Sequence, residues 1–425
     1  MPKKVLIITY YWPPAGGPGV QRWLKFVKYL PDYGIHPVVY IPKNPSYPII
    51  DLDLASEVPE NVTIITQKIK EPYGLAKFLS KNLTKTISSG IITKEKGQNL
   101  VQRLMLYVRG NYFIPDARKA WVKPSVTYLS GYIRTHGIET IITTGPPHSL
   151  HLIGKELKQQ LGVKWLADFR DPWTTISYHN KLKLTQNSQK KHKVLEQSVL
   201  AEADTIIVTS ERTKVEFASK TSQPITVITN GYDTYHLPKI RKDDKFTLAH
   251  IGSLLSDRNP TNLWCALKAL IDENDTFNTL FRLKLIGIVS EDIIKEIKKL
   301  DLHSHVEILG YISHEDVLME QRQAQLLLLA EIDSEYTKAI IPGKLFEYMV
   351  SNTPIIAIGP EGSDVERIIK QTNTGRYFYH SDINGLKSQI LEYFEAYKKG
   401  TLATNPIGLA PYSRKNLTKT LSELI

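Results

Sequence analysis

Residues 5–30 of the 425-residue chain read VLIITYYWPPAGGPGVQRWLKFVKYL. The apolar run at residues 5–10 is too short for a signal-peptide core and predicts a buried β-strand. Apolar side chains then recur at helical spacing, at Val20, Trp23, Leu24, Val27 and Leu30. They predict a helix, which Pro31 should end. A strand that leads through a glycine-rich loop into a helix is the repeating unit of a parallel sheet covered by helices.

The same alternation of apolar strands and helical segments continues along the chain. We predict thirteen strands, at residues 5–10, 37–41, 62–65, 140–143, 164–168, 205–208, 226–228, 246–251, 283–286, 306–309, 325–329, 354–358 and 375–379. Thirteen strands are too many for one ordinary open sheet, and the chain is longer than the ~250–300 residues of a single core. The predicted fold is α/β, with two doubly wound Rossmann-like domains.

The composition of the chain suggests where these domains begin and end. The first is predicted at residues 1–235 and the second at residues 246–408, with a charged, solvated linker at residues 236–245. Residues 409–425 are predicted to contain a helix that crosses back to the first domain. Residues 71–124 interrupt the alternation with helical stretches but no strand. Insertions of this kind usually lie near the ligand crevice of an α/β domain.

The net charge of +11 is concentrated in one segment. Residues 68–123 contain twelve basic and three acidic residues, a net charge of +9. This segment suits anionic lipid head groups, lipid-linked phosphates or nucleic acid, and a solvated surface without a partner is the alternative. No apolar run approaches the ~18–20 residues that span a bilayer. We therefore expect a cytoplasmic protein, at most peripheral on the inner face of the membrane.

The first strand-to-helix junction contains Gly16, Gly17 and Gly19. Glycines at this position let backbone N–H groups approach an anion. Their spacing is not GxGxxG, and no suitably placed acidic residue follows the second strand, which disfavours a nicotinamide cofactor. A proline- and glycine-rich turn without a ligand is the alternative.

Two junctions of the second domain carry cations. Gly252 ends the strand at residues 246–251, and Arg258, which follows six residues later, suits a diphosphate. In the motif PGKLFEY at residues 342–348, Lys344 lies near the start of a predicted helix, where a lysine is unfavourable unless an anion is bound. Glu347, three residues later, projects on the same face. An exposed arginine and a surface Lys–Glu pair are the alternatives.

Charges also crowd the exit of the strand at residues 164–168, where Asp168, Arg170 and Asp171 stand together. Buried charges are costly unless they serve a site or pair with each other, so a structural Arg–Asp cluster is the alternative to a site. His148 and His151 are three residues apart, but no HExxH pattern or cysteine cluster accompanies them. We predict no metal site, and expect such a histidine to be structural or to contact an acceptor.

In their order along the chain, these segments resemble the retaining glycosyltransferases of family four, which have the GT-B fold. The resemblance rests on YYWPPAGGPGVQR, LADFRDPW, EADTIIVTS, ITNGYD, HIGSLLSDR, ILGYISHEDV, IPGKLFEYM, NTPIIAIG and YSRKNLTKTLSELI. It covers nearly the whole chain and is most similar to the subgroup with a P-x-K-x-F-E-Y motif. It implies two domains that face each other across a cleft, with the nucleotide held by the second and the acceptor by the first.

The resemblance also implies roles for residues of the second domain. Glu347 matches the acid that binds ribose hydroxyls, and Arg258 and Lys344 match cations that neutralise the diphosphate. Tyr311 and Ile312 match a segment whose backbone contacts the base. We add Gly252 to this donor site, as the glycine that ends the strand before Arg258.

In the first domain, Gly16, Gly17 and Gly19 match the glycine loop beside the sugar and phosphates of the donor. We place Asp171 among the catalytic groups, on the acceptor side. His148 and Arg170 are further acceptor-side candidates.

The implied function is retaining transfer of a hexosyl or N-acetylhexosaminyl unit from a UDP- or GDP-linked sugar to a glycan or lipid-linked acceptor, in surface-polysaccharide biosynthesis. No cofactor or metal is expected, because the two cations would replace it. The sequence departs from the family pattern eight residues before Glu347, where Ala339 stands in place of the usual second glutamate. Glu331, Asp333 or Glu335 could substitute.

Two other functions remain open for this sequence. One is a GT-B nucleotide-sugar 2-epimerase, which would share the donor site but would not need the basic insertion. The other is a non-catalytic nucleic-acid or membrane-binding protein. Nucleic acid is not expected, because the basic residues cluster apart from Lys344 and Glu347.

Overall fold

A computed structural model of the chain describes residues 3–71, 100–176, 179, 182–234 and 240–425. The chain divides into two compact units. The first unit consists of Met1–Asn230 and Arg414–Ile425, and the second unit of Gly231–Ser413. Each contains one parallel sheet with helices, so the predicted α/β class with two Rossmann-like sheets is confirmed.

The first unit has a seven-stranded sheet in the order β3-β2-β1-β4-β5-β6-β7. Its strands are β1 (Lys3–Ile8), β2 (Ile35–Pro42), β3 (Thr63–Gln67), β4 (Thr140–Gly145), β5 (Lys164–Phe169), β6 (Thr205–Val208) and β7 (Ile225–Val227). Every neighbouring pair is parallel. β1, β4 and β5 are almost wholly buried, as expected of strands covered on both faces.

The helices of the first unit are α1 (Pro18–Tyr29), α2 (Asp53–Ser56), α3 (Leu100–Tyr112), α4 (Val122–His136), α5 (Ser149–Leu161), α6 (Gln186–Glu202), α7 (Glu211–Ala218) and α15 (Arg414–Leu424). Short 3-10 turns lie at Leu30–Tyr33 and Lys119–Trp121. Leu417 and Leu421 of α15 are buried in the same core as β1 and α1. The C-terminal helix therefore belongs to the first unit and starts at Arg414, five residues after the predicted segment begins.

The second unit has a six-stranded sheet in the order β10-β9-β8-β11-β12-β13, again parallel throughout. Its strands are β8 (Phe246–Ile251), β9 (Phe281–Ile286), β10 (Val306–Gly310), β11 (Leu326–Ala330), β12 (Ile355–Gly359) and β13 (Gly375–Tyr379). Together with β1–β7, they overlap all thirteen predicted strands. The differences lie at strand ends, where hydrogen bonding extends or trims the apolar run by one or two residues.

The helices of the second unit are α8 (Thr261–Glu273), α9 (Asp275–Leu280), α10 (Glu291–Lys299), α11 (His314–Gln323), α12 (Lys344–Met349), α13 (Asp364–Thr372) and α14 (Ile383–Lys398). Short 3-10 turns lie at Ser256–Arg258, His303–His305, Glu335–Thr337 and Ala410–Tyr412. Two buried clusters cover the two faces of the sheet, one centred on α8 and α14 and the other on α12 and α13.

Residues 236–245 were predicted to form a solvated linker. Residues 235–239 lie outside the described part of the chain, and the remaining residues of the predicted linker contact the second unit. The ammonium of Lys242 donates to the Ala324 carbonyl (2.8 Å) and to Thr353 (2.7 Å). Asp243 pairs with Lys284 (2.9 Å). These residues are part of the second unit, because their charges find partners there, which the charge run alone cannot show.

The predicted insertion at residues 71–124 is described only from residue 100 onward, with Glu71 before the gap. The described part is helical, with α3, the turn Lys119–Trp121 and the start of α4. The basic residues at Lys77, Lys81, Lys85, Lys94 and Lys96 lie outside the described residues.

Candidate functional site

The order of strands places one opening at the carboxyl edge of each sheet. In both sheets the strand order reverses beside the first strand of the unit, between β1 and β4 and between β8 and β11. Ligands of doubly wound folds bind at this reversal, just beyond the carboxyl ends of the strands. In the second unit, Gly252 follows β8 and Glu331 follows β11, so both lie at this edge.

The short helix α12 presents Lys344 toward Gly252. Leu345, Phe346, Tyr348 and Met349 of α12 are buried in the core. The Tyr348 hydroxyl accepts a hydrogen bond from the Ile251 amide (3.0 Å), which ties α12 to the end of β8. Lys344 and Glu347 lie on the remaining, half-buried face. The helix starts at Lys344, so the lysine is its first residue.

Lys344 is packed tightly against the backbone at the end of β8. Gly252 has a φ of +107°, and a side chain there would come within 2.7 Å of the Lys344 Nζ atom. Only glycine permits both this backbone conformation and this close approach. The ammonium also lies 3.4 Å from Nε2 of the buried His250. Burial and the nearby Arg258 lower the pKa of Lys344 to about 7, and Glu347 partly opposes them.

Arg258 lies in the 3-10 turn that follows β8, and its guanidinium has no hydrogen-bond or ion-pair partner among the described residues. Burial lowers the pKa of Arg258, and the charge of Glu331 partly opposes this shift. A guanidinium without a protein partner beside a half-buried ammonium is a costly arrangement. Such an arrangement is typical of a site for an anion.

Glu331 is the acidic residue at this edge that sequence reasoning named only as a possible substitute for Ala339. It is 4% exposed and accepts hydrogen bonds from Ser363 (2.9 Å) and Tyr377 (2.8 Å). Burial raises the pKa of Glu331 to about 7, although Arg258 and both hydroxyl donors favour the ionised form. A charged residue directly after a fully apolar strand is the sequence signal that could have identified it.

The other residues predicted to bind the donor are Glu347, Tyr311 and Ile312, and each has a different environment. Glu347 accepts a hydrogen bond from Gln321 of α11 (3.0 Å), which fixes one of its oxygens. Tyr311 follows β10 and is 92% exposed, whereas Ile312 packs against the core beneath α12. The structure thus brings Gly252, Lys344 and Arg258 close together, and leaves the Tyr311 side chain in solvent.

In the first unit, the structure brings Gly19 and Arg170 together. A side chain at Gly19 would meet the Arg170 guanidinium at 1.7 Å. That guanidinium also donates to the carbonyls of Gly145 (3.3 Å), the last residue of β4, and of Pro146. Gly17, with a φ of +112°, precedes α1. A side chain at Gly16 would meet Ile49 at 2.9 Å, so the loop needs small residues for packing as well as for any ligand.

Asp168 is structural and does not face a site. It is fully buried and pairs with Arg22 of α1 (3.1 Å). It also accepts hydrogen bonds from Trp23 (2.9 Å) and Thr144 (2.8 Å). Asp168 is therefore part of a structural Arg–Asp pair, the alternative to a site that the sequence left open, and its partner is Arg22 and not Arg170. The two residues are 146 positions apart in the chain, which the local sequence does not reveal.

His148 and Asp171 both line a cavity of about 300 Å³ in the first unit. His148 immediately precedes α5 and is 3% exposed, with its ring stacked on Trp173 at a centroid distance of 4.8 Å. Asp171 follows β5, and burial raises the pKa of its carboxyl while Arg170 opposes the shift. The Trp173 indole also donates to His192 (3.1 Å), a residue that sequence reasoning missed.

In the described ranges, no group of three or more histidine, cysteine, aspartate or glutamate side chains has a geometry that could hold a metal ion. The described helices also include none that is long and apolar enough to cross a bilayer.

Comparison with known families gives a match within the second unit. Residues 233–401 match the family Glycosyl transferases group 1. The matched segment contains Arg258, Lys344 and Glu347, three of the residues that the sequence analysis assigned to the donor site. Among curated proteins, none matches the chain.

Solved structures share the fold over the whole chain. A sucrose-phosphate synthase from Thermosynechococcus elongatus is 14% identical, with a TM-score of 0.61, and the match covers 99% of this chain and 98% of that one. WaaG, a glycosyltransferase involved in lipopolysaccharide biosynthesis, is 12% identical, with a TM-score of 0.54 and 99% coverage of both chains. A putative UDP-N-acetylglucosamine 2-epimerase from Listeria monocytogenes is 10% identical, with a TM-score of 0.52 and coverage of 98% and 94%.

These likenesses establish the GT-B fold, which a sucrose-phosphate synthase, a glycosyltransferase and a putative epimerase have in common. Because the identities are low, the fold by itself does not choose between transfer and epimerisation.

Proposed function

We propose that the chain is a retaining glycosyltransferase of family four that moves a hexosyl or N-acetylhexosaminyl unit from a UDP- or GDP-linked sugar to a glycan or lipid-linked acceptor. One observation carries the proposal: in a group 1 glycosyl transferase domain, the Lys344 ammonium lies against Gly252 beside Arg258, whose guanidinium has no partner among the described residues. Two such cations at the carboxyl edge of a doubly wound sheet suit a nucleotide diphosphate.

The proposed chemistry depends on charge that develops at the leaving diphosphate. As the bond from the anomeric carbon to the diphosphate oxygen breaks, negative charge builds on that oxygen and positive charge on the sugar ring. Fixed cations stabilise this separation most strongly where water is excluded. In our proposal Lys344 and Arg258 supply them, so no metal ion is needed for this step.

Neighbouring residues would orient the donor. Glu347 keeps one oxygen on Gln321 and offers the other to ribose hydroxyls. Glu331 holds a carboxyl beside Arg258 at the same edge of the sheet, where it could replace the acid missing at Ala339. The backbone at Tyr311 and Ile312 would contact the base, since the Tyr311 side chain makes little contact with the protein.

On the acceptor side, the first unit offers the glycine loop, Arg170, Asp171 and His148. We propose no covalent enzyme nucleophile. Retention would follow if an oxygen of the departing phosphate takes the proton of the acceptor hydroxyl, with Asp171 near the acceptor.

Incubation with UDP- and GDP-sugars, with and without candidate glycan acceptors, tests the proposal. We expect release of one nucleotide and a glycosidic product whose anomeric configuration, read by NMR coupling constants, equals that of the donor. Inversion would contradict the retaining mechanism. Conversion of the donor sugar without any glycoside would favour the 2-epimerase. Binding of oligonucleotides without affinity for nucleotide sugars would exclude both enzymes.

Binding of UDP or GDP is expected to weaken as the pH rises from 7 to 9. With a pKa of about 7, Lys344 loses its proton in the free protein over this range, whereas a bound diphosphate would hold that proton. Binding then requires proton uptake, and affinity should fall by up to about tenfold per pH unit. Calorimetry in buffers of different ionisation enthalpy measures both the affinity and the number of protons taken up on binding. Lys344→Arg should remove this dependence of affinity on pH, because arginine stays charged. An unchanged pH dependence in this variant would mean that a group other than Lys344 takes up the proton.

We further propose that α3 contacts an anionic membrane surface or lipid-linked acceptor as part of this function. Leu104, Tyr107, Val108 and Tyr112 recur at helical spacing and are 36–66% exposed. Basic residues flank them in the segment at 68–123. Apolar side chains beside cations are typical of helices that lie in the membrane interface.

Co-sedimentation with vesicles of phosphatidylglycerol and phosphatidylcholine measures this contact. The double variant Leu104→Ser, Tyr112→Ser is expected to reduce binding about tenfold or more, since it removes apolar area from the interface. Val215→Ser, at the equally exposed Val215 of α7, should bind as the unmodified protein does. Equal binding of all three proteins would assign membrane contact to another surface.

A further inference from the structure

The cavity in the first unit has the size and position of a small-molecule site. It lies beyond the carboxyl ends of β4 and β5 and is closed by α3, the segment after α3, and α6. Its volume of about 300 Å³ is at the lower end of the ~300–1,000 Å³ typical of ligand pockets. That is room for one ring of a ligand, and too little for a nucleotide sugar.

The most informative group in its wall is His148. The residue is 3% exposed, and neither ring nitrogen has a hydrogen-bond partner in the part of the chain that the structure describes. Burial, reinforced by His151 and Arg170, holds the pKa of this imidazole well below its usual value. The ring is therefore neutral and offers one N–H donor and one acceptor nitrogen. Buried polar atoms left unpaired in this way are costly, and a ligand that pairs them would be stabilised.

The cations of the wall are already engaged. Arg118 pairs with Glu71 (3.2 Å) and stacks over Tyr10, with its guanidinium carbon 4.5 Å from the ring centre. Arg109 also has an interaction of its own within the protein. A phosphate in the cavity would have to draw these cations away from their present partners. The wall therefore disfavours a charged phosphate group.

The groups that remain available suit hydroxyls. No described residue donates a hydrogen bond to the carboxyl of Asp171, which is a hydrogen-bond acceptor when ionised. His148 adds one donor and one acceptor. The Asp116 carboxyl, by contrast, already accepts hydrogen bonds from the backbone amide (2.8 Å) and the hydroxyl (2.9 Å) of Ser149. Phe113 and Trp173 supply aromatic surface in the same wall, suited to the apolar faces of a sugar ring.

We propose that this cavity holds the terminal ring of the acceptor, that this ring is an uncharged sugar, and that His148 and Asp171 hydrogen-bond its hydroxyls. The inference rests on the proposed transfer of a glycosyl unit, and it deepens that function by naming the acceptor class. A phosphorylated or otherwise anionic terminal group is excluded from the cavity.

Ligand-observed NMR with the full chain tests this assignment without turnover. The probes are methyl glycosides of neutral hexoses and N-acetylhexosamines, with hexose 6-phosphates and glycerol phosphate as anionic counterparts. At least one neutral glycoside is expected to bind, and every anionic probe to bind more weakly. His148→Phe should weaken that glycoside about tenfold, the effect of one or two lost hydrogen bonds. Asp171→Asn should weaken it less, since the amide can still accept.

Two further variants separate recognition from folding. His148→Gln keeps a donor and an acceptor and should retain more affinity than His148→Phe, while both keep the thermal midpoint within a few degrees. His136→Phe changes an exposed histidine of α4 and should leave affinity unchanged. Tighter binding of an anionic probe, binding unaffected by His148→Phe, or no binding of any neutral glycoside would overturn the inference.

Calorimetry with UDP and GDP on the same protein keeps the two proposals apart. Nucleotide binding without binding of any neutral glycoside would refute the acceptor class and leave the proposed transferase intact. Binding of a neutral glycoside that depends on His148, without affinity for any nucleotide, would refute the donor site and retain the sugar site of the first unit.

Discussion

Replacing Lys344 with methionine is expected to lower kcat for glycosyl transfer by about 10²–10³, or about 2.7–4 kcal/mol of transition-state stabilisation. The Lys344 ammonium lies against Gly252 and beside Arg258, so in our proposal it faces the diphosphate as its charge develops. Methionine retains most of the side-chain volume but carries no charge. Steady-state kinetics with saturating acceptor measures the loss.

The thermal midpoint provides a control for Lys344→Met. Because burial disfavours the ammonium when no anion is bound, its removal is not expected to destabilise the second unit. Lys268 provides a matched variant, since its ammonium pairs with Asp272 on the surface of α8. Lys268→Met should leave kcat unchanged. If Lys344→Met transfers sugar at the unmodified rate, Lys344 has no part in leaving-group stabilisation.

Arg258→Met is expected to produce a loss of similar size, about 10²–10³ in kcat. The guanidinium has no partner among the described residues, so its removal breaks no described ion pair. A loss of activity would therefore report on the ligand rather than on the fold. The rate of nucleotide release and the rate of glycoside formation should fall together, because both depend on the same bond cleavage.

Arg376→Met is the matched control, since Arg376 lies exposed on β13 of the same unit. Its kcat should equal that of the unmodified protein. The double variant with Lys344→Met should lose less than the product of the two single losses, because both cations act on one diphosphate. Full multiplicativity would instead indicate that the two residues act independently of each other.

The fold could be predicted because its strands are continuous apolar runs. β6 and β8 were predicted with their observed bounds, since a strand buried on both faces contrasts sharply with its polar flanks. The position of α15 in the first unit was also expected. The first domain was predicted to end at residue 235, and the first part of the first unit ends at Asn230. The sequence could not show that Lys242 and Asp243 find partners in the second unit.

The site was less predictable, because its contacts join segments far apart in the chain. Spacing indicated that Lys344 and Glu347 share a face, and glycine after β8 indicated an anion site. The approach of Lys344 to Gly252 spans 92 residues and depends on the crossovers between β8, β11 and β12. The partnership of His148 with Trp173 likewise arises only when β4 and β5 lie side by side.

Titration of UDP and GDP into the unmodified chain and into the double variant Lys344→Met, Arg258→Met tests the central claim most directly. The claim is that these two cations of the second unit hold the diphosphate of the donor. Calorimetry should show binding of one nucleotide by the unmodified protein and a loss of at least about 100-fold in the variant. Equal affinity in both proteins, or no binding of either nucleotide, would contradict it.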